Sequence, residues 1–214
     1  MQSTSQITIE KLKNILIKKC KDKDRIILAI AGPPASGKST LAKNISDSFN
    51  STKPTFSSVV GMDGFHYDDT YLIAAGLREK KGAIQTFDFG GLYHTLKRLY
   101  EKNEKEVTVP VFDREIEIAR AGAQIINSKI PLIIVEGNYL LINSEPWSKL
   151  KIFFDLKIFL TVSKDEIYKR LIKRWKKLKI HENEINNKIH NNDLPNAEFI
   201  NAKSNGADYV MVTN

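Results

Sequence analysis

Two rhythms of apolar residues alternate along this chain. Residues 25–31 (R-I-I-L-A-I-A), 131–136 (P-L-I-I-V-E) and 156–162 are near-continuous apolar runs. Shorter runs lie at 56–61 and 208–213. Runs of this kind fit parallel strands covered on both faces. Between them, apolar residues recur at helical spacing: Ile9, Leu12, Leu16 and Cys20; Leu41, Ile45 and Phe49; Leu92, Leu96, Leu99 and Tyr100; Ile167, Leu171, Trp175 and Leu178. A shorter helical pattern spans Tyr71 to Leu77. Ser163, with Glu166 three residues on, predicts a capping box at the start of the last long helix. Asn192-Asp193-Leu194-Pro195-Asn196 reads as a turn or the start of a helix. Alternation at Val107–Phe112 and again at Glu115–Ile118 predicts a small two-stranded excursion, about 107–118, outside the parallel core. The predicted class is α/β: a three-layer sandwich with a five-stranded, mainly parallel sheet, in one domain over 1–214 with a helical lid at about 163–180.

One loop gives this pattern a chemistry. Gly32-Pro33-Pro34-Ala35-Ser36-Gly37-Lys38-Ser39 has the spacing G-x-x-x-x-G-K-S of a phosphate-binding loop (Walker A). A strand precedes it and a helix follows it, as the motif requires. Its backbone N–H groups and the helix N-terminus favour phosphate. The candidate nucleotide contacts are therefore Gly32, Pro33, Ala35, Ser36, Gly37, Lys38, Ser39 and Thr40. Lys38 is placed to reach the β- and γ-phosphates, and Ser39 to ligate Mg²⁺.

Carboxylates at the ends of strands extend the site, because ligands of parallel sheets bind beyond the C-terminal strand ends. Asp63 follows the second run and is placed to take a proton from an acceptor hydroxyl; its plainer role is a turn before Gly64. Glu136 ends an apolar run where an unpaired carboxylate is costly, which marks it for the Mg²⁺ sphere. Arg170 and Arg174 share a helix face and are candidates to close over a triphosphate. Asp88 is equally readable as a helix cap or a substrate ligand. His66 divides between substrate contact and packing, and Asp113 with Arg114 between an exposed turn and a substrate wall.

Composition narrows the setting. In 214 residues there is one cysteine, so an intrachain disulfide and a Cys-rich metal site are excluded. No apolar run approaches membrane-spanning length, and the N-terminus lacks an apolar signal core, so a soluble cytoplasmic protein is expected. The net charge of +8 is compatible with nucleic acid or phosphorylated ligands as well as with a solvated Lys-rich surface. Because the basic residues cluster on one helix without interleaved stacking aromatics, nucleic acid ranks last.

The ordered set A-G-P-P-A-S-G-K-S-T, M-D-G-F-H, K-G-A-I-Q-T-F-D, V-P-V-F-D-R, I-V-E-G-N-Y-L-L, R-L-I-K-R-W and N-D-L-P-N-A resembles the phosphoribulokinase/uridine kinase superfamily. It is nearest to the bacterial fructose-transport-system-type kinases, with type I pantothenate kinases more distant. The resemblance implies ATP as donor, Mg²⁺ as cofactor, Asp63 as general base, Glu136 in the metal sphere, Arg170 and Arg174 in the lid, and Asp88, Asp113 and Arg114 in the substrate pocket. Ile84 stands where relatives often carry proline, and Asp63-Gly64-Phe65-His66-Tyr67 departs from the D-x-F-Y-R of uridine kinases. The expected function is transfer of the γ-phosphoryl group of ATP to a hydroxyl of a sugar, nucleoside or pantothenate-like metabolite. The alternative is a regulatory ATP-binding switch with no small-molecule acceptor. A monomer and a homodimer are both compatible with the sequence.

Overall fold

The structure, a computed structural model, describes residues 4–213. The central strand β1 (Ile26–Ala31) is fully buried and lies between β5 (Leu132–Gly137) and β6 (Leu156–Thr161). Strands β2 (Ser57–Gly61) and β7 (Tyr209–Val212) form the edges, giving the order β2-β5-β1-β6-β7 with every pairing parallel. The five apolar runs are thus the five strands of one sheet. Edge strand β7 is partly covered by the N-terminal segment, where Ile7 N–H donates to Val210 O and Val210 N–H to Ser5 O.

Alternate residues of β1 point into two different cores. Ile26, Leu28 and Ile30 pack with Leu12 and Leu16 of α1 (Ile9–Asp22) and Leu41 and Ile45 of α2 (Lys38–Thr52). Ile27, Ala29 and Ala31 face Leu92, Leu96 and Leu99 of α4 (Phe89–Glu101), together with the aromatic cluster around Tyr139 and Trp147. Such two-sided burial makes β1 the best-fixed element of the fold, and the phosphate loop leaves from its end.

Arg25 is not part of the first strand. Its buried guanidinium donates to the carbonyls of Ile130, Leu99 and Asn127, joining the end of α4 to the strand that leads into β5. The excursion is also larger than the sequence predicts. It is an antiparallel hairpin of β3 (Glu106–Asp113) and β4 (Ile118–Asn127). Of the alternating Glu115–Ile118 segment, Glu115 to Glu117 lie in its turn and Ile118 opens β4, whereas that strand reads I-A-R-A-G-A-Q-I-I-N, too small and polar to give an apolar period. Gln124 Nε2 donates to Ser58 Oγ and Val59 O and fastens the hairpin over edge strand β2.

The C-terminal third forms a small separate core. α5 (Lys164–Lys177) packs Ile167 and Leu171 against Ile185, Ile189 and Ala197, which come from α6 (Glu182–Lys188), a π-helical turn (Ile189–Asp193) and α7 (Leu194–Lys203). The N-D-L-P-N stretch is therefore helical throughout, with Pro195 tolerated in the first turn of α7. Half of the predicted capping box forms. Ser163 Oγ accepts from Glu166 N–H, but the Glu166 carboxylate turns to Arg170 Nε at 2.8 Å instead of reaching back. Trp175 is half-buried in this core, and its Nε1 donates to Asp193 Oδ2 at 2.8 Å; Leu178 is exposed. A short α3 (Asp69–Ala74) completes the elements between β2 and α4.

Candidate active site

Three neighbouring strands deliver the site to one edge of the sheet. β1 ends in the phosphate loop, β5 ends at Glu136 and β2 ends just before Asp63, and the register pairs Gly61 and Ile30 with Glu136 on either side. Gly37 precedes α2 at φ 93°, a left-handed conformation open to glycine, and no side chain caps the helix. The first N–H groups of α2 therefore keep their donors for an anion. Ala35 is also left-handed, at φ 59°, a conformation rare outside glycine. Its carbonyl accepts from Arg170 Nη1 at 3.3 Å, so α5 touches the loop. The loop is held from the far side as well, where Thr213 Oγ1 donates to Ser36 O at 2.9 Å.

Lys38 is buried, and its Nζ donates to Pro33 O at 2.8 Å. Burial pushes its ammonium down to about 8, while Glu136 and Asp63 pull it upward. The Ser39 hydroxyl donates to Glu136 Oε1 at 3.0 Å. Burial raises the Glu136 carboxyl, and the charge of Asp63 raises it further. Among the described residues no group of three or more His, Cys, Asp or Glu could hold a metal by itself. The buried Ser36 hydroxyl has no hydrogen-bond partner in the protein. An unsatisfied hydroxyl in the loop, uncapped helix donors and a buried Ser–Glu pair fit a phosphate with an attendant divalent cation.

Asp63 sits in a 3-10 turn (Met62–Phe65) directly after β2. Its Oδ2 accepts from Arg114 Nη2 at 2.5 Å. Burial pushes its carboxyl up, but the basic groups of His66, Arg114, Lys38 and Arg174 outweigh that and hold it below the usual range. His66 packs against Phe87 at 3.9 Å between ring centroids with the rings tilted by 40°, and its Nδ1 meets Asp63 O at 2.8 Å. Desolvation lowers the imidazole's affinity for a proton, against the pull of Asp63.

The acceptor-side residues do not all converge. Asp88 caps α4, accepting from Gly91 N–H at 2.8 Å, and with His66, Gly64, Thr95, Thr108 and Gly122 it lines a cavity of about 450 Å³ under the hairpin. Arg114 reaches Asp63 from the hairpin turn. Asp113 points elsewhere: its carboxylate takes Glu115 N–H at 3.1 Å and Arg120 Nη1 at 3.3 Å. Arg170 and Arg174 are both half-buried, the first tied to Glu166 and Ala35 and the second stacked on Trp175 at 5.5 Å.

The match to known proteins has the same extent as this architecture. Residues 27–212 match the Phosphoribulokinase / Uridine kinase family. The chain belongs to that family. A crystal structure described as that of a candidate fructose transport system kinase from a Silicibacter species superposes with a TM-score of 0.86 at 33% identity, covering 97% of this chain and all of that one. A Schizosaccharomyces pombe protein named as a candidate uridine kinase is 30% identical over 94% of this chain and 89% of its own length. Pantothenate kinase of Streptococcus pneumoniae is 28% identical over 78% of this chain, which spans about half (54%) of that enzyme.

As a member of this family, the chain is an ATP-dependent kinase of the small-molecule type, a phosphotransferase that acts on hydroxyl groups. No helix among the described residues is long and apolar enough to cross a membrane. Two contributors to the site escape the sequence reading. Thr213 lies 177 residues from the loop it braces, and no local signal links the two. Lys81 sits inside a charged R-E-K-K run with no apolar period, yet its side chain is only 11% exposed.

Proposed function

We propose that the chain transfers the γ-phosphoryl group of ATP to the hydroxyl of a sugar, a nucleoside or a pantothenate-like metabolite. The observation that carries this reading is Asp63, a carboxylate at the end of β2, on the sheet edge that also holds the phosphate loop and surrounded by the site's basic groups. A protein that only switches on ATP has no use for a base facing an acceptor.

In this reading Lys38, the Ser36 hydroxyl and the N–H groups from Gly32 to Thr40, Pro33 and Pro34 excepted, hold the phosphates. Ser39 and Glu136 would hold Mg²⁺, partly through water, and the ion would neutralise phosphate charge. Asp63 accepts the proton of the acceptor hydroxyl as that oxygen attacks the γ-phosphorus, and ADP leaves. Arg170 and Arg174 stabilise the charge of the transferring group from the lid. His66 and Asp88 form the acceptor wall with Arg114, while Asp113 shapes it indirectly by bracing the hairpin turn. The whole chain acts as one catalytic domain with a lid and a substrate hairpin, working in the cytoplasm on small molecules rather than on nucleic acid.

The test is a coupled ADP-release screen across sugars, nucleosides and vitamin alcohols, with Asp63→Asn as control. Acceptor-dependent ADP release that disappears in Asp63→Asn supports the assignment. ATP binding with no acceptor-dependent release across all three classes counts against it.

A further inference from the structure

Two adjacent residues of one short turn join the helix that carries Arg170 and Arg174 to the segment beside the proposed acceptor wall. On the α5 side, Trp175 Nε1 donates to the buried Asp193 at 2.8 Å, and the Arg174 guanidinium lies 5.5 Å from the centre of the Trp175 ring. On the other side, Asn192 Nδ2 donates to Lys81 O at 2.7 Å across 111 positions of sequence. Asn192 is itself held by Asn196, whose Nδ2 donates to its Oδ1 at 3.0 Å. Lys80 Nζ adds a second tie, to Asn191 O at 3.1 Å. The turn (Ile189–Asp193) is π-helical, a rare geometry that recurs at functional sites.

The segment that Asn192 holds runs straight to the acceptor side. Lys81 Nζ donates to Glu117 O in the hairpin turn at 2.8 Å and to Asp69 Oδ1 at 2.6 Å. The next carbonyl, Gly82 O, accepts from the buried Tyr139 hydroxyl at 2.8 Å. Phe87 and Asp88 follow, the first against His66 and the second lining the cavity under the hairpin. Asn192 and its neighbours thus bond to a carbonyl next to the one that the core holds. A hydrogen bond of this kind is worth about fivefold in an equilibrium constant, enough to tune a linkage without deciding whether the chain folds.

We propose that Asn192 is a positioning residue for transfer: it keeps residues 78–86 in register with α5, so that ATP on the phosphate loop favours the acceptor-ready arrangement of Lys81 and the hairpin turn. Arg170 meets the phosphate loop at Ala35 O, Trp175 of the same helix meets Asp193, and Asn192 meets Lys81 O. The inference deepens the kinase reading and rests on it. Because coupling between two ligands is reciprocal, a bound acceptor tightens ATP by the same factor.

Hydrogen exchange of the full chain, followed by mass spectrometry with and without a non-hydrolysable ATP analogue and Mg²⁺, tests the linkage with no acceptor present. Asn192→Ala removes both amide bonds, whereas Asn192→Asp keeps the acceptor for Asn196 and removes only the donor to Lys81 O. In the wild type the analogue is expected to slow exchange in α5 and also at 78–86 and 114–117, which lie outside the proposed nucleotide contacts. In both variants the slowing at 78–86 and 114–117 falls by about fivefold, while that in α5 remains. A merely structural tie would speed exchange at 78–86 equally with and without the analogue. That unchanged ratio overturns the inference, as does a wild type in which the analogue leaves 78–86 unprotected; in either case the ADP-release screen still judges the kinase reading by itself. For an acceptor found in that screen, both variants are expected to raise its KM at saturating ATP by about fivefold, and an unchanged KM overturns the coupling. The dissociation constant for ATP alone, expected to stay within about twofold, establishes that the variants fold.

Discussion

Asp63 and Lys38 show how a residue's neighbours set its chemistry. Asp63 is surrounded by His66, Arg114, Lys38 and Arg174, which hold its carboxyl below the usual range despite burial, as the proposed role of proton acceptor requires. We expect Asp63→Asn to reduce phosphoryl transfer by about 10²- to 10⁴-fold, the usual contribution of a positioned base, while the dissociation constant for ATP measured by calorimetry changes only a few-fold. Lys38 responds in the opposite sense. Burial brings its ammonium down to about 8, below its ordinary value, so the free enzyme loses this charge as pH rises through that region. Phosphate binding favours the charged form and pulls the proton back. ATP affinity is therefore expected to fall as pH rises above about 8, with proton uptake on binding. Titration in buffers of different ionisation enthalpy measures that uptake, and its absence at pH 8.5 would show that Lys38 remains charged when the loop is empty. In Lys38→Ala both ATP affinity and turnover should fall.

At the scale of elements, the candidate site depends on how the hairpin and the phosphate loop are fastened. Gly64 faces the hairpin so closely that a Cβ there would lie 2.4 Å from Pro110 O. Backbone on both sides leaves no flexible group to give way, so Gly64→Ala is expected to destabilise the fold by about 1–3 kcal/mol. Urea unfolding followed by circular dichroism measures this, and an unchanged midpoint would mean that the two backbones separate freely. Thr213→Val tests the brace on the phosphate loop. Losing one hydrogen bond of about 1 kcal/mol predicts a rise of about fivefold in KM for ATP, with a small change in stability. The hairpin also shows where periodicity fails. Residues 107–112 alternate and are a strand, but of the alternating Glu115–Ile118 all except Ile118 lie in a turn. Four residues are too few for alternation to discriminate. The true partner, β4, is fixed by pairing with β3 and by Gln124 on edge strand β2, neither of which is a local property.

For the whole molecule, the net charge of +8 includes the basic cluster on α5, but many of the other cations are already engaged. Arg25 is spent on backbone carbonyls, Lys38 lies in the loop, Lys81 and Arg114 are paired with carboxylates, and several surface lysines face glutamates. Binding to a random oligonucleotide is expected to be weak and to vanish between 50 and 200 mM salt by fluorescence anisotropy, as ordinary electrostatic attraction does. Retention of tight binding at the higher salt would point to a dedicated nucleic-acid surface.

The sequence by itself determined the sheet and the phosphate loop, and it carries the candidate donor half of the site. Five apolar runs, a G-x-x-x-x-G-K-S loop between strand and helix, and acids following two of those runs are local signals, because strand burial and phosphate binding impose their patterns on neighbouring residues. Only tertiary structure decided which residues surround Asp63 in the proposed acceptor half. Asp113, adjacent to Arg114 in the chain, bonds Arg120, whereas Arg114 crosses 51 positions to Asp63. Lys81 meets Phe112 and Thr213 meets Ser36 through contacts that no periodicity records. Which of two neighbouring side chains faces a site depends on the pairing and twist of a hairpin, and those are properties of the packed chain.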